Sequence, residues 1–350
     1  MSKPTIRIIF FGSTSDSVLV LDKLSAVSCQ LSAVVTQPPR PVGRSQTVTP
    51  TPVEIWAKAK NIPVLSFATN QVKPWLFENE QQVIDTLQPF KPDLLVSACY
   101  GQKIPSSSIT STTYGGLNVH PSLLPKWRGA DPVPWAILAG DHQTGVTIVT
   151  LADKFDKGNI IAQKKVPITF KDTSDPIRTR LFVLGADLLV ESLNDYLLLF
   201  RHSGLEPESS SRILDSRFRG NDNVNSSSPY ARRLTRNDGF IPWDLIKEAM
   251  LGKDIPQKIR PILFSLVIGP PAGGWSLVIE KALRALSPWP GLWTLVKVKS
   301  EEKRLKILAC HVSPDAKFLI LDTVQIEGKK PVSFSQFVSA YPHLNSEVTK

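Results

Sequence analysis

The chain has 350 residues, 42% of them hydrophobic and 21% charged, with 41 Lys/Arg against 31 Asp/Glu for a formal charge of +10. That length suffices for two domains with separate cores, and the composition is ordinary for a soluble protein. No run of 18 apolar residues occurs, so no membrane-spanning helix is expected. The chain opens Met1-Ser2-Lys3-Pro4 and passes straight to an apolar run. No leader is therefore expected, and a cytoplasmic location is. Cys29, Cys99 and Cys310 are far apart and form no CxxC pair, and the five histidines show no ligand spacing. Buried thiols in a reducing compartment are expected, with no metal site.

In chain order, Ile6–Phe11 reads as a strand ending at Gly12, and residues 16–26 as a helix with Val18, Leu21 and Leu24 on one face. Strands are predicted over 31–36, 64–65, 93–98, 116–120 and 146–151. Helices are predicted over 51–60, with Pro52 in the first turn, and over 78–87, 134–139 and 176–200. Strands alternating with helices imply an α/β fold with a doubly wound, mostly parallel sheet. Ligands in such sheets sit at the carboxyl ends of the strands. There is no GxGxxG and no P-loop, so a dinucleotide or nucleotide triphosphate site is not expected.

Residues 201–229 change in texture to Ser, Gly, Asn and mixed charge, and read as a flexible linker or insertion. Beyond them, helices are predicted over 243–250, 255–268 and 275–286. Strands follow over 292–298, 304–310, 318–322 and 324–327, with a closing helix over 333–340. These strands fit a small β-barrel of the oligonucleotide-binding kind. The domain reading is therefore 1–200, a linker at 201–229, and 230–350 with extra helices. Charge is uneven: residues 1–200 carry 19 Lys/Arg against 16 Asp/Glu, and residues 229–350 carry 18 against 11. A basic last third fits a nucleic-acid partner or serves solubility alone.

The most specific stretch is Asn118-Val119-His120-Pro121-Ser122-Leu123-Leu124-Pro125, with Asp156 following inside Lys154-Phe155-Asp156-Lys157-Gly158. Alternate positions on an extended segment put Asn118 and His120 on one side. An amide to donate to an oxyanion, an imidazole to carry a proton and a carboxylate to hold the imidazole suit acyl transfer.

This string, with Trp127-Arg128-Gly129 after it, resembles the signature of the folate-dependent formyltransferases. The resemblance runs from Ile6 to about Leu199 and resumes from Tyr230 to about Tyr341. It implies Asn118, His120 and Asp156 as the catalytic trio. It also implies 10-formyltetrahydrofolate as co-substrate, against a wall of Ser122, Leu123, Leu124, Pro125, Tyr100, Gly101 and Gln102, without a metal. Two segments are similar to the branch of the family that formylates initiator methionyl-tRNA. One is residues 36–44, a Pro/Gly loop bearing Arg40 and Arg44, which the resemblance directs to the tRNA acceptor end. The other is residues 284–291, similar to that branch's junction with its C-terminal barrel. A monomer is expected.

The chain departs from the pattern at Pro39, where an acid is usual, at Ser45-Gln46, where a basic pair is common, and at Asp131, where a small residue is usual. Residues 201–229 and about 252–275 are extra length. Three competing readings remain at this level: a formyltransferase for a small amine, a 10-formyltetrahydrofolate hydrolase, and an inactive RNA-binding protein that keeps the fold.

Overall fold

The computed structural model describes residues 5–43, 45–203, 228–253, 274–298 and 300–345. The helix predicted over 255–268, most of the 201–229 segment and Arg44 lie outside the described residues. The chain divides into two compact units. The first comprises residues 1–130, 144–167 and 178–231, and the second residues 131–143, 168–177 and 232–350.

The first unit is built on β1 (Ile6–Phe11), β2 (Cys29–Val35), β5 (Val64–Leu65), β6 (Leu94–Ser97), β7 (Gly116–His120), β9 (Gln143–Thr150) and β10 (Ile160–Pro167). They form one sheet in the order β10-β9-β7-β6-β1-β2-β5. Strands β5, β2, β1, β6 and β7 run parallel, and β9 is antiparallel to β7. Central β1 is covered on both faces, which is why it reads as an unbroken apolar run rather than an alternating one. On one face Ile9 and Phe11 join Val83, Leu87, Phe77 and Ile104 in a buried cluster.

Helix α1 (Ser15–Ser25) starts directly after β1. Thr14 and Ser17 form a reciprocal cap at its start, satisfying amides that have no partner within the helix. The Ser17 hydroxyl also donates to the Ala98 carbonyl at 2.7 Å, tying the end of β6 to the start of this helix. Helix α2 (Pro52–Ala59) carries Pro52 in its first turn, as its sequence predicts, and Thr51, read as its first residue, is its cap. Helix α3 (Glu80–Leu87) is capped by Asn79, and the helices α4 (Ser106–Thr110) and α6 (Ser174–Ser203) follow later in the chain. Three strands have no apolar pattern to announce them: β3 (Arg40–Val42) and β4 (Thr47–Thr49) of an exposed hairpin, and the half-exposed β10. Their pairing comes from backbone hydrogen bonds, which any residue supplies.

In the second unit, α5 (Pro132–Ala139) is followed by α7 (Trp243–Met250) and α8 (Gly274–Leu286). A four-stranded antiparallel sheet, β12 (Leu292–Val298), β13 (Glu301–Val312), β14 (Leu319–Ile326) and β15 (Val332–Ser333), carries the rest. The two strands predicted over 318–322 and 324–327 are one continuous strand, β14, because Thr323 pairs both with Ala309 on one side and with Ser333 on the other. Helix α9 (Phe334–Ala340) closes the unit, capped by Ser333 and Gln336.

Asp93, just before β6, receives three hydrogen bonds from Arg7 of β1: the backbone amide at 2.8 Å, Nε at 3.0 Å and Nη2 at 2.8 Å. Partial burial pushes the Asp93 carboxyl up, and the Arg7 bonds outweigh that and hold it below the usual carboxylate value. A carboxylate lowered on folding stabilises fully above its unfolded value near ~4 and loses that contribution as pH falls through the folded one. Asp93→Ala is expected to lower Tm at pH 7 by about 3–6 °C. The gap to wild type should shrink as pH is taken below ~4, measured by thermal unfolding across a pH series.

Candidate active site

Strand β7 lies between β6 and β9, and its carboxyl end is the floor of the site. Ser97, the last residue of β6, sits opposite Asn118. The alternation read from the sequence holds: Asn118 and His120 share a side, Asn118 half-buried and His120 only 4% exposed.

The chain leaving β7 turns back on itself. The Ser122 amide bonds the His120 carbonyl at 2.9 Å, and the Ser122 hydroxyl donates to the Lys126 carbonyl at 2.8 Å. Thr147 of β9 donates to the Ser122 carbonyl at 2.6 Å and accepts from the Leu124 amide at 3.2 Å. Gln163 of β10 donates to the Leu124 carbonyl at 2.8 Å. The loop therefore closes on neighbouring strands, and it delivers the carbonyl of Trp127 to His120. His120 Nε2 donates to that oxygen at 3.0 Å.

Asp156 arrives from the loop after β9. Its backbone has φ +54°, a left-handed conformation that costs a non-glycine residue energy and so must be held by its surroundings. The hold comes from Gly129, whose N–H donates to Asp156 Oδ2 at 3.0 Å. The other oxygen, Oδ1, is 3.4 Å from Asn118 Nδ2 and 3.4 Å from His120 Nδ1. Two donors thus converge on one point, each with a bond longer than ordinary. Both His120 nitrogens face oxygens, and the Trp127 carbonyl can only accept. Nε2 must then carry hydrogen, and Nδ1 is the nitrogen that faces the carboxylate.

The remaining sequence-predicted residues fall in three places. Ser122 and Leu124 are buried in the closing loop, with Leu123 and Pro125 half-buried beside them. Tyr100, Gly101 and Gln102 follow β6. The Tyr100 ring is turned into the core, 5.3 Å from the Phe11 centroid and 6.3 Å from that of Phe77, and burial pushes its phenol pKa up. Gln102 is only 3% exposed, yet neither its Nε2 nor its Oε1 has a hydrogen-bond partner. Arg40 is exposed on β3.

Groups that sequence reasoning missed are mainly backbone: the Trp127 carbonyl and the Gly129 N–H. Residue type gives no signal for either, except that Gly129 has φ +111°. Two links made by side chains were also missed. Gln37 Nε2 donates to the Tyr100 carbonyl at 2.9 Å, which ties the start of the 36–44 loop to the 98–102 segment. Lys103 pairs with Asp153 at 2.9 Å, and Ser106 donates to the same oxygen at 3.0 Å. Those bonds hold the Asp153 carboxyl below its usual value, and join the loop after β6 to the loop that carries Asp156.

Residues 6–193 match the model of the formyl transferase family. A methionyl-tRNA formyltransferase from Chloroflexus aggregans is 35% identical over 309 residues, covering 88% of this chain and 81% of that protein. One from Listeria innocua is 31% identical over 350 residues, covering 98% of each. Among solved structures, a 4-N formyltransferase from Francisella tularensis superposes with a TM-score of 0.50 at 15% identity, over 85% of this chain and 95% of that one, a likeness of fold alone.

The loop bearing Asp156 closes through Gly158. A Cβ there would overlap the backbone carbonyl of Thr150, which no side-chain rotation relieves. Gly158→Ala is expected to cost about 1–3 kcal/mol. Guanidinium unfolding of the variant beside wild type measures it.

Proposed function

The chain belongs to the formyl transferase family, and we propose that it moves the formyl group of 10-formyltetrahydrofolate to the α-amino group of initiator methionyl-tRNA. The observation that carries the chemistry is the convergence of Asn118 Nδ2 and His120 Nδ1 on one point beside Asp156. Two relatives formylating methionyl-tRNA by name, matched over most of their length, support the acceptor.

The formyl donor is an amide-like carbonyl, so attack by the amine creates an oxyanion. Asn118 and doubly protonated His120 supply its hydrogen bonds. As the bond from the formyl carbon to the folate nitrogen breaks, that nitrogen needs a proton, and His120 is the group able to give one. Asp156 keeps His120 in place and takes the proton lost by the amine, through a water. Its second oxygen, bonded to Gly129, stays fixed throughout.

The folate side is supported by Gln102. A buried amide with neither donor nor acceptor satisfied is costly unless something supplies the missing bonds. A pterin edge, which alternates donors and acceptors, fits it. Ser122, Leu123, Leu124 and Pro125 form the rest of that wall, with Gly101, and Tyr100 backs it from the core. On the acceptor side, Arg40 and Arg44 are assigned to the tRNA end. The basic region after 229 attracts the polyanion, so residues 1–200 perform the chemistry and 230–350 hold the tRNA.

The assignment is tested by offering 10-formyltetrahydrofolate with charged initiator tRNA, free methionine, or water alone. Formyl transfer to the charged tRNA alone is expected. Transfer to water at the same rate makes the protein a hydrolase. His120→Ala and Asn118→Ala are each expected to lower turnover at least about a hundredfold with Tm near wild type, the usual cost of one oxyanion donor. Arg44→Ala is expected to raise KM for tRNA and leave folate binding nearly intact, because Ser45 and Gln46 offer no cation to replace it. Steady-state kinetics with each substrate varied in turn separates the two.

A further inference from the structure

Residues 228–231 re-enter the first unit beside the site. Tyr230 and Ala231 form a short strand, β11, parallel to β8 (Arg128–Gly129), with Tyr230 opposite Arg128 and Ala231 opposite Gly129. The pairing brings the Tyr230 ring against Gly129. A Cβ placed there would lie 2.8 Å from Cε2 and Cζ of that ring and 2.6 Å from the Ala231 carbonyl. Gly129 is the residue whose N–H holds Asp156. The ring is therefore one residue away from the carboxylate that receives the amine's proton.

Tyr230 is unlike most rings in this unit. Phe10, Phe11, Phe182 and Tyr196 are fully buried. Tyr230 is 61% exposed, and part of its ring covers Gly129. Among the described residues of the first unit, three aromatic side chains are largely exposed: Trp75, Phe155 and Tyr230. Of these, Tyr230 lies against Gly129, and Phe155 directly precedes Asp156 in the chain.

Resting on the acceptor named above, we propose that Tyr230 is a substrate-positioning residue whose exposed face stacks on the terminal nucleobase of the charged tRNA. The reactive amine is an ester substituent on the terminal nucleotide. An amine at Asp156 therefore brings a nucleobase within reach of whatever ring lies beside Gly129. Base-on-aromatic stacking needs no hydrogen-bond complementarity, because every base has a π face. That suits a single-stranded acceptor end. The phenol hydroxyl has no part in it.

Tyr230→Leu keeps bulk over Gly129 and removes the π face. Tyr230→Phe keeps the π face and removes the hydroxyl. With charged initiator tRNA, the Leu variant is expected to raise KM about tenfold with kcat within threefold of wild type, and the Phe variant to match wild type. The KM for 10-formyltetrahydrofolate should not move in either. With methionyl-adenosine, which keeps one base, the Leu variant should show the same rise. A KM for charged tRNA within threefold of wild type overturns the proposal, whatever happens to kcat. A fall in kcat at unchanged KM would make Tyr230 a prop for Gly129 and nothing more. If wild type formylates no charged tRNA, the reading of the acceptor falls and this inference with it. If wild type formylates it and the Leu variant is indistinguishable, only Tyr230 is misassigned.

Discussion

Everything at the site depends on how one carboxylate is divided. Asp156 Oδ2 is committed to the Gly129 amide, and Oδ1 faces two donors at longer range. The short bond is structural and fixes the group. The longer contacts leave Asn118 and His120 aimed at a common point without being saturated. A carboxylate bonded closely on both oxygens would hold its neighbours too firmly to share them with a substrate. His120 is fixed from its other side by a carbonyl that cannot donate, so its two nitrogens have separate tasks.

The fixed geometry draws on elements far apart in sequence. Gly129 is held by β11, a hundred residues later, and accommodates that strand only because it lacks a side chain. The loop of Asp156 is joined to the segment after β6 through Lys103 and Asp153, and that segment to the 36–44 loop through Gln37. The strand ends are held in register from below by Arg7 and Asp93, and α1 is fixed by Asp16 pairing with Arg178 at 2.7 Å. Exposed pairs such as Lys103–Asp153 contribute little stability. Their effect is on the placement of two loops that have no core of their own.

The second unit has its own locking network where the chain resumes. Arg232 makes two bonds to Asp238 and lies over the Trp135 ring, whose Nε1 donates to the Arg232 carbonyl at 2.8 Å. Asp131 accepts from the Leu234 amide at 2.6 Å. Its presence at the start of α5 is thereby explained. A carboxylate bonded to a backbone amide near the helix N-terminus is favoured by charge as well as by geometry.

Much of this was legible in the chain itself. The apolar run of β1, Pro52 in the first turn of α2, and the alternation that puts Asn118 and His120 together are local properties, fixed by side-chain type and backbone period. The Asn-x-His string and Asp156 could be picked out for the same reason, since acyl transfer, the chemistry proposed here, calls for those residue types. What only the tertiary structure decided is less tied to residue identity. The hairpin β3–β4 and the unbroken β14 follow from backbone pairing, which carries little sequence signal. Tyr100 could not be told from a ligand-facing residue until its ring was seen packed on Phe11. The Trp127 carbonyl and the Gly129 amide do most to hold the site, and every residue but proline offers both groups. Sequence therefore named the side chains that could act, and the meeting of distant segments determined which backbone atoms hold them.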